Sequence, residues 1–278
     1  MANGGRRINS VTLYSCGTCK NDVAAVFKGE KKREIVFPAL VCRIEHSEYG
    51  NILFDTGYSD RIFGNGFVSK IYNGLNPATV REEDTIRYKM KAEGCKISYI
   101  ILSHAHPDHI GCLKDFEDYK LLATRECHKN LEKAGLRDLV FKNQVPERSK
   151  SVDFVCLDPM DPSYYDNDST ARMLSGSFKE IYNIFGDGSV YGIRLDGHSK
   201  GQLGIYIPEY SLFLAADASW GHYFADRVDQ MKFIPRHIQN NFKEYKDTII
   251  RIKHFEKMNP DIKVIYSHEE FPEGIYGQ

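Results

Sequence analysis

His104-Ala105-His106-Pro107-Asp108-His109 follows an apolar run, Ile97 to Leu102, that reads as a buried strand. Four of these six residues can bind a metal ion, in a chain with only ten histidines. Residues two apart in extended backbone point the same way, so His104 and His106 can reach one ion. Pro107 keeps the loop from closing early into a helix. Asp108 and His109 then face another direction and can serve a second ion, so one loop could feed two sites. Catalytic zinc takes nitrogen and oxygen donors and keeps one position open for water, so further donors must come from elsewhere in the chain.

Three more positions qualify, each directly after a predicted strand. His198 lies in Asp196-Gly197-His198-Ser199, after the strand Ser189–Leu195. Asp217 closes Ala215-Ala216-Asp217, after Leu212–Ala216, and needs a partner beside so apolar a strand. His268 lies in Tyr266-Ser267-His268-Glu269, after Lys263–Tyr266. Taken singly, each also reads as a loop residue or a hydrogen-bonded histidine. Residues at the ends of several strands can converge on one sheet edge.

Around these positions the first half of the chain reads as strands. Val11–Tyr14, Ile35–Ile44 and Asn51–Asp55 are β-rich, and the last two form a hairpin through the turn residues Ser47–Gly50. Asn51–Asp55 ends in Asp55-Thr56-Gly57. Residues 58–78, rich in Gly, Asn and Tyr, read as a loop, and Thr79–Glu93 as a charged amphipathic helix stopped by Gly94. A helix starts over Ile110–Phe116, with Cys112 packed at its beginning. A short strand, Leu121–Ala123, and a helix, Arg125–Lys133, follow. Residues 136–186 hold Pro146, Pro159 and Pro162 among many polar residues and read as an irregular insertion, with one helix at Ser169–Met173. A long insertion of this kind is a candidate lid or substrate wall. Strands return at Leu203–Ile207, and a long helix spans Asn240–Met258. Several strands followed by a helix in each half suit two sheets packed face to face with helices outside.

Composition narrows the function. Apolar content of 42% and charge of 27% are those of a soluble globular protein. A net charge of −1 offers no field for nucleic acid or an anionic membrane. No apolar run has the length of a membrane span. The first ten residues carry two arginines with no apolar stretch behind them and do not read as a signal peptide, so the expected location is the cytoplasm. Seven cysteines, an odd number in a long chain, read as free thiols. Cys16 and Cys19 form a CxxC, open to a metal or redox role but without a second pair.

The set HxHxDH at 104–109, Asp55 in the strand-ending DTG, His198 in GHSKGQLG, Asp217 in AAD and His268 in YSHEE resembles the metallo-β-lactamase-fold hydrolase superfamily. The match spans nearly the whole chain in the family's order. The resemblance implies an αβ/βα sandwich of two mixed sheets with helices on the outer faces, in a single domain over residues 1–278. It implies one metal site from His104, His106 and His198, and a second from Asp108, His109 and His268. Asp217 would bridge the ions, and Asp55 would orient a ligand histidine. The implied cofactors are two divalent ions, zinc first, with manganese or iron suiting the same donors.

Within the superfamily the set is most similar to the N-acyl homoserine lactone lactonases. These carry a Tyr three residues after the bridging Asp, where this chain has Trp220, and an indole N–H is a donor only. His222 and Tyr223 are the nearest replacements. The expected chemistry is attack of a hydroxide bridging the ions on an ester-like bond of a small molecule: a lactone, ester or thioester. Asp108 would orient the hydroxide and pass its proton to the leaving group. Phosphodiester hydrolysis at the same site is the alternative, and a metal-binding or sensing protein without turnover is the reading of another class. Tyr164, Tyr165, Phe63 and Phe67, from the insertion and the 58–78 loop, are candidate pocket walls.

Overall fold

The computed structural model describes residues 6–64, 66–133, 135, 139–147 and 152–277. The strands are β1 (Ile8–Asp22), β2 (Glu34–His46), β3 (Gly50–Phe54), β4 (Ala78–Thr79), β5 (Ile97–Ile101), β6 (Tyr119–Ala123), β7 (Val152–Cys156), β8 (Ile181–Asn183), β9 (Tyr191–Arg194), β10 (Leu203–Ile207), β11 (Leu212–Leu214), β12 (Lys263–Ile265) and β13 (Gly274–Ile275). The first sheet runs β13-β1-β2-β3-β5-β6-β7, with β4 also paired to β1. Its β1-β2-β3 part is antiparallel, and β3-β5-β6-β7 is parallel. The second sheet runs β12-β11-β10-β9-β8, antiparallel except for the parallel pair β11-β12.

Alternation along the strands builds the layers. In β2, Leu40, Cys42 and Ile44 face inward with Ile52 and Phe54 of β3, against Leu203, Ile205 and Leu214 of the second sheet. The opposite residues of the first sheet, such as Val41, Leu53 and Ile100, pack under the helices Ile86–Ala92 and Arg125–Lys133, which supply Met90 and Leu131. On the far side, Phe213 and Val264 pack under the helix Phe242–Met258 through Ile252 and Phe255, and Ile181 and Tyr191 under Ser169–Ser175. The architecture is the expected αβ/βα sandwich of two mixed sheets. Each buried Leu, Ile or Phe contributes about 1.5–3 kcal/mol through area removed from water, so the three apolar layers hold the sheets in fixed register.

Four local expectations change. The stretch 58–78 is not a loop: it folds as a short turn Asp60–Phe63 and a helix Gly66–Leu75, whose Ser69 and Tyr72 are buried. Tertiary burial of these two residues outweighs the helix-weakening Gly and Asn content. The helix expected over Thr79–Glu93 is shorter, Ile86–Ala92, because Thr85 is extended and caps it, its hydroxyl accepting from Tyr88 N–H. Ile110–Phe116 makes only a 3-10 turn at Leu113–Asp115, and Cys112 is buried ahead of it. The stretch 136–186 is not an irregular insertion. It supplies β7 and β8, the edge strands of both sheets, besides the helix Ser169–Ser175. Its residues 136–138 and 148–151 lie outside the described residues. Among the described residues, no helix is long and apolar enough to cross a membrane.

Candidate metal centre

Parallel pairing puts the C-terminal ends of β3 and β5 together, and the alternation β9-β10-β11 with parallel β12 does the same for β9, β11 and β12. The seven predicted donors leave from these ends at one edge of the sandwich. The β5 loop is clasped by the segment after β3. Asp55 N–H donates to Ile101 O (3.0 Å), and both Thr56 N–H and its hydroxyl donate to His109 O (2.8 Å each). Gly111 N–H donates to Gly57 O at 2.9 Å, and a Cβ on Gly111 would stand 2.4 Å from that oxygen, so only glycine lets the segments close. Gln144, buried, donates to Pro107 O (3.1 Å) and braces the loop from below.

The second-sheet donors are fixed as tightly. Gly197 has φ +132°, and a Cβ there would lie 2.3 Å from Tyr245 backbone atoms of the long helix. This approach lets Asn240 and Asn241 N–H donate to His198 O and Gly197 O (3.0 and 2.9 Å). Asp217 follows β11 in a tight turn, and His268 follows β12.

The outer ring nitrogens set the tautomers. His109 Nδ1 meets Asp55 Oδ2 at 2.8 Å, and Asp55, fully buried, also accepts from Ser103 N–H (2.8 Å) and Ser103 Oγ (2.7 Å). His268 Nδ1 meets Pro38 O at 2.7 Å. His198 Nδ1 meets Gln239 Oε1 at 2.7 Å, while Gln239 Nε2 donates to Pro235 O. A carboxylate, a backbone carbonyl and an amide oxygen can only accept, so these three rings carry hydrogen on Nδ1 and present Nε2 inward, the atom a cation would take. Ser103 Oγ stands 3.0 Å from His104 Nδ1.

The inward atoms form three overlapping groups, each with its donor atoms within 4.8 Å of one another: His104-His106-His198, His104-His109-Asp217 and Asp108-His109-His268. His106 Nδ1 lies 3.0 Å from His104 Nε2 and 2.9 Å from His198 Nε2. Asp217 sits between the groups, with Oδ1 3.3 Å from His109 Nε2 and Oδ2 3.0 Å from His268 Nε2 and 3.3 Å from His198 Nε2. Asp108 Oδ2 lies 3.3 Å from His268 Nε2 and 3.7 Å from His109 Nε2. All seven predicted residues are thus brought together, and Asp55 stands behind His109.

The donor set fits divalent cations. His109 Nε2 and Asp217 Oδ1 are buried with no hydrogen-bond partner, a costly arrangement unless a cation takes both. Burial, then the neighbouring His109 and His106, pushes His104 well below the usual imidazole range, and burial with His198 does the same to His106. Burial also opposes charge at His109, but Asp217, Asp108 and Asp55 hold it well above that range. Burial likewise opposes charge at Asp217, yet His268 and His109 keep its carboxyl far below the usual carboxylate range. Cation uptake would therefore displace protons from the His109 side of the cluster, while the His104 side is neutral and ready.

His106, Asp108, His198, Asp217 and His268 floor a cleft of about 590 Å³, a space that includes open solvent. Its walls are Phe37, Tyr72, Trp220, Leu139 and Ile238, with Cys19, Asn21 and Asn76. The aromatics expected there are elsewhere. Phe63, Phe67 and Tyr164 are exposed, and Tyr165 is buried under the second sheet. Leu139 is the one described residue of 136–186 lining this cleft, so that stretch contributes little wall. Trp220 lines it, edge-on to Phe37 and Phe224. His222 is turned away, held by Glu256 (2.8 Å) and Glu269 (2.7 Å), and Tyr223 Oη donates to Glu30 (3.2 Å). The CxxC lies within β1, Cys16 in the core and Cys19 at the cleft, both thiols free. No cysteine joins a metal-binding group among the described residues.

Ser103, Gln239, Pro38, Phe37 and Tyr72 escaped the sequence reading. Only Ser103, next to His104, carries a local signal. The others act from positions dozens to hundreds of residues away from their partners.

No curated protein matches the chain. Solved structures match its fold closely. A quorum-quenching N-acyl homoserine lactone lactonase superimposes with a TM-score of 0.67 at 20% identity, covering 97% of this chain and 99% of its own. A variant of AiiA from B. thuringiensis with N-decanoyl-L-homoserine bound at its active site gives 0.68 at 20%, covering 97% and 100%. A probable metal-dependent hydrolase from Staphylococcus aureus gives 0.65 at 14%, covering 97% and 93%. The family model described as the metallo-beta-lactamase superfamily matches residues 39–257, which hold every donor but His268. The chain belongs to the metallo-beta-lactamase superfamily and is a metal-dependent hydrolase.

Proposed function

We propose that this hydrolase opens an ester-like bond of a small molecule, a lactone or a carboxylic ester or thioester, with two divalent ions bound at the edge of the sandwich. One observation carries the reading. Asp217 reaches both histidine groups, Oδ1 facing His109 and Oδ2 facing His268 and His198, at the floor of a cleft lined by no lysine or arginine among the described residues. A phosphodiester brings a charge that such walls do not meet, whereas an acyl group fits Phe37, Trp220, Leu139 and Ile238. The lactonase relatives of the same fold favour a lactone.

His104, His106 and His198 would hold one ion, Asp108, His109 and His268 the other, and Asp217 both. Zinc suits these donors best, and manganese or iron also suit them. When bound, the ions acidify a shared water and polarise the substrate carbonyl. The chain's own residues do the rest. Asp55, Gln239 and Pro38 O fix three of the ligand rings, so no reorganisation is needed during reaction. Asp108, at the cleft floor, accepts a proton from the attacking water at a carboxylate oxygen and returns it to the leaving oxygen, or to the leaving sulfur of a thioester. Phe37 and Trp220 exclude water from the acyl side.

The test is a panel of γ-lactone, N-acyl homoserine lactone, thioester and bis(4-nitrophenyl) phosphate, offered to zinc-loaded protein. Turnover of the acyl substrates is expected. Turnover of the phosphodiester alone would reject the reading. Asp217→Ala should lose both ions and activity together, and a variant that keeps two ions per chain would contradict the bridging role.

A further inference from the structure

The cleft walls hold one hydroxyl that the assignments above leave unused. Tyr72, from the helix Gly66–Leu75, lines the cleft with Asp108, Asp217 and His268, and its side chain is more than nine-tenths buried. Its hydroxyl lies 3.1 Å from that of Tyr58, which is fully buried. Tyr58 has no access to water, so its proton must find an acceptor inside the protein. The Cys19 thiol also neighbours the Tyr58 hydroxyl, but sulfur is a weak acceptor. Tyr58 therefore donates to Tyr72 Oη. With that lone pair taken, the proton of Tyr72 is free for an acceptor other than Tyr58, and the cleft that Tyr72 lines is where a substrate oxygen would offer one. A phenol remains protonated through the neutral range, so this donor is always present.

We propose that Tyr72 is a catalytic residue: its hydroxyl donates a hydrogen bond to the substrate acyl oxygen as that oxygen becomes negative, with Tyr58 as the positioning residue that aims it. No proton is transferred, because the phenol donates a hydrogen bond and keeps its hydrogen. The role rests on the acyl-hydrolase reading given above. It also accounts for the chain's use of Trp220 after Asp217. The indole ring packs edge-on to Phe37 and Phe224 as wall, while the hydroxyl donor enters from a different helix.

The experiment compares wild type, Tyr72→Phe, Tyr58→Phe/Tyr72→Phe and Trp220→Phe, all loaded with zinc. On whichever acyl substrate wild type hydrolyses, Tyr72→Phe should lower kcat about 10- to 100-fold, the scale of removing one preorganised donor, with KM little changed. Zinc content should stay at the wild-type level. A readout without turnover accompanies it: binding of an alkylphosphonate monoester, a tetrahedral anion, should weaken about 10-fold or more in Tyr72→Phe. A purely structural role makes a different forecast. Tyr72→Phe strands the buried Tyr58 proton and lowers the melting temperature, whereas the double variant removes both hydroxyls and regains it. Stability restored in the double variant without recovery of kcat or phosphonate affinity supports the proposal. Full kcat in Tyr72→Phe, recovery of kcat in the double variant, or a larger loss in Trp220→Phe than in Tyr72→Phe overturns it. Failure of wild type on every acyl substrate rejects the acyl-hydrolase reading itself, and with it this role.

Discussion

Asp55 is the residue through which the first sheet controls the ligand set, and Asp55→Asn isolates its charge. Asp55 has φ +61°, in the left-handed region, which asparagine tolerates, so the backbone keeps its path. One amide oxygen can still accept from Ser103 N–H, as Oδ1 does at 2.8 Å. The amide nitrogen then replaces Oδ2, which accepts from Ser103 Oγ at 2.7 Å and His109 Nδ1 at 2.8 Å. Two hydrogens now face each other at His109. The ring must surrender its Nδ1 hydrogen and carry it on Nε2, the atom that faces Asp217 Oδ1 at 3.3 Å. Loss of a charged hydrogen bond costs about 1.5–3 kcal/mol. For a chain of this length that is a fall in melting temperature of about 3–5 °C. A ligand ring in the wrong tautomer costs about 10- to 100-fold in metal affinity. Asp55→Ala should be worse in stability, because alanine in the left-handed region adds strain of about 1 kcal/mol or more. Scanning calorimetry of the metal-free proteins and competition with a zinc chelator measure both effects. Wild-type zinc affinity for two ions in Asp55→Asn would refute the tautomer argument.

Gln239→Leu frees His198 Nδ1, and the affinity of the His104-His106-His198 group should fall about 10-fold; a cobalt titration in which neither binding step weakens would contradict this. His222 gives a pH signature away from the metal centre. Hydrogen bonds that its ring donates to the Glu256 and Glu269 carboxylates raise its pKa to about 10 from 6.5. A raised pKa stabilises the fold fully below pH 6.5, and the contribution fades as pH rises through about 10. The stability difference between wild type and His222→Gln should therefore shrink across that window, and shrink further in high salt because the ring is partly exposed. A difference that is flat or grows with pH in urea unfolding would be the contrary result.

What could be read from the sequence follows how local each signal is. The donors from His104 to His268 were legible because each ends an apolar strand with a residue type that strands seldom end on. Parallel pairing then gathers strand ends at one edge whatever the loops do. The helix Arg125–Lys133 was legible for the same reason: its periodicity and its Gly135 stop lie within a few turns. Gly66–Leu75 was not, because its stability comes from burying Ser69 and Tyr72 against distant segments, a tertiary effect that outweighs poor local propensity. The stretch 136–186 misled through its prolines and polar residues. Those features belong to the connections, while short strands such as Val152–Cys156 find their place only by pairing with β6.

The same distinction separates the metal site from its selectivity. The donors are short-range features, but their orientation depends on Pro38 O, Gln239 and Asp55, which meet His268, His198 and His109 across 230, 41 and 54 residues. An oxygen acceptor behind a ring nitrogen leaves no pattern in sequence when it is a backbone carbonyl. Its effect on the ring is nevertheless the same as that of a carboxylate, since either fixes hydrogen on Nδ1. The three anchors differ in charge, however. His109 alone leans on a full negative charge, so its group should bind zinc more tightly once deprotonated, but the carboxylates that hold the ring charged should make it release the ion at higher pH than the group of His198, whose rings burial keeps neutral. The substitutions Asp55→Asn and Gln239→Leu therefore probe two halves of one centre, and the larger loss belongs to the half that starts with the charged anchor.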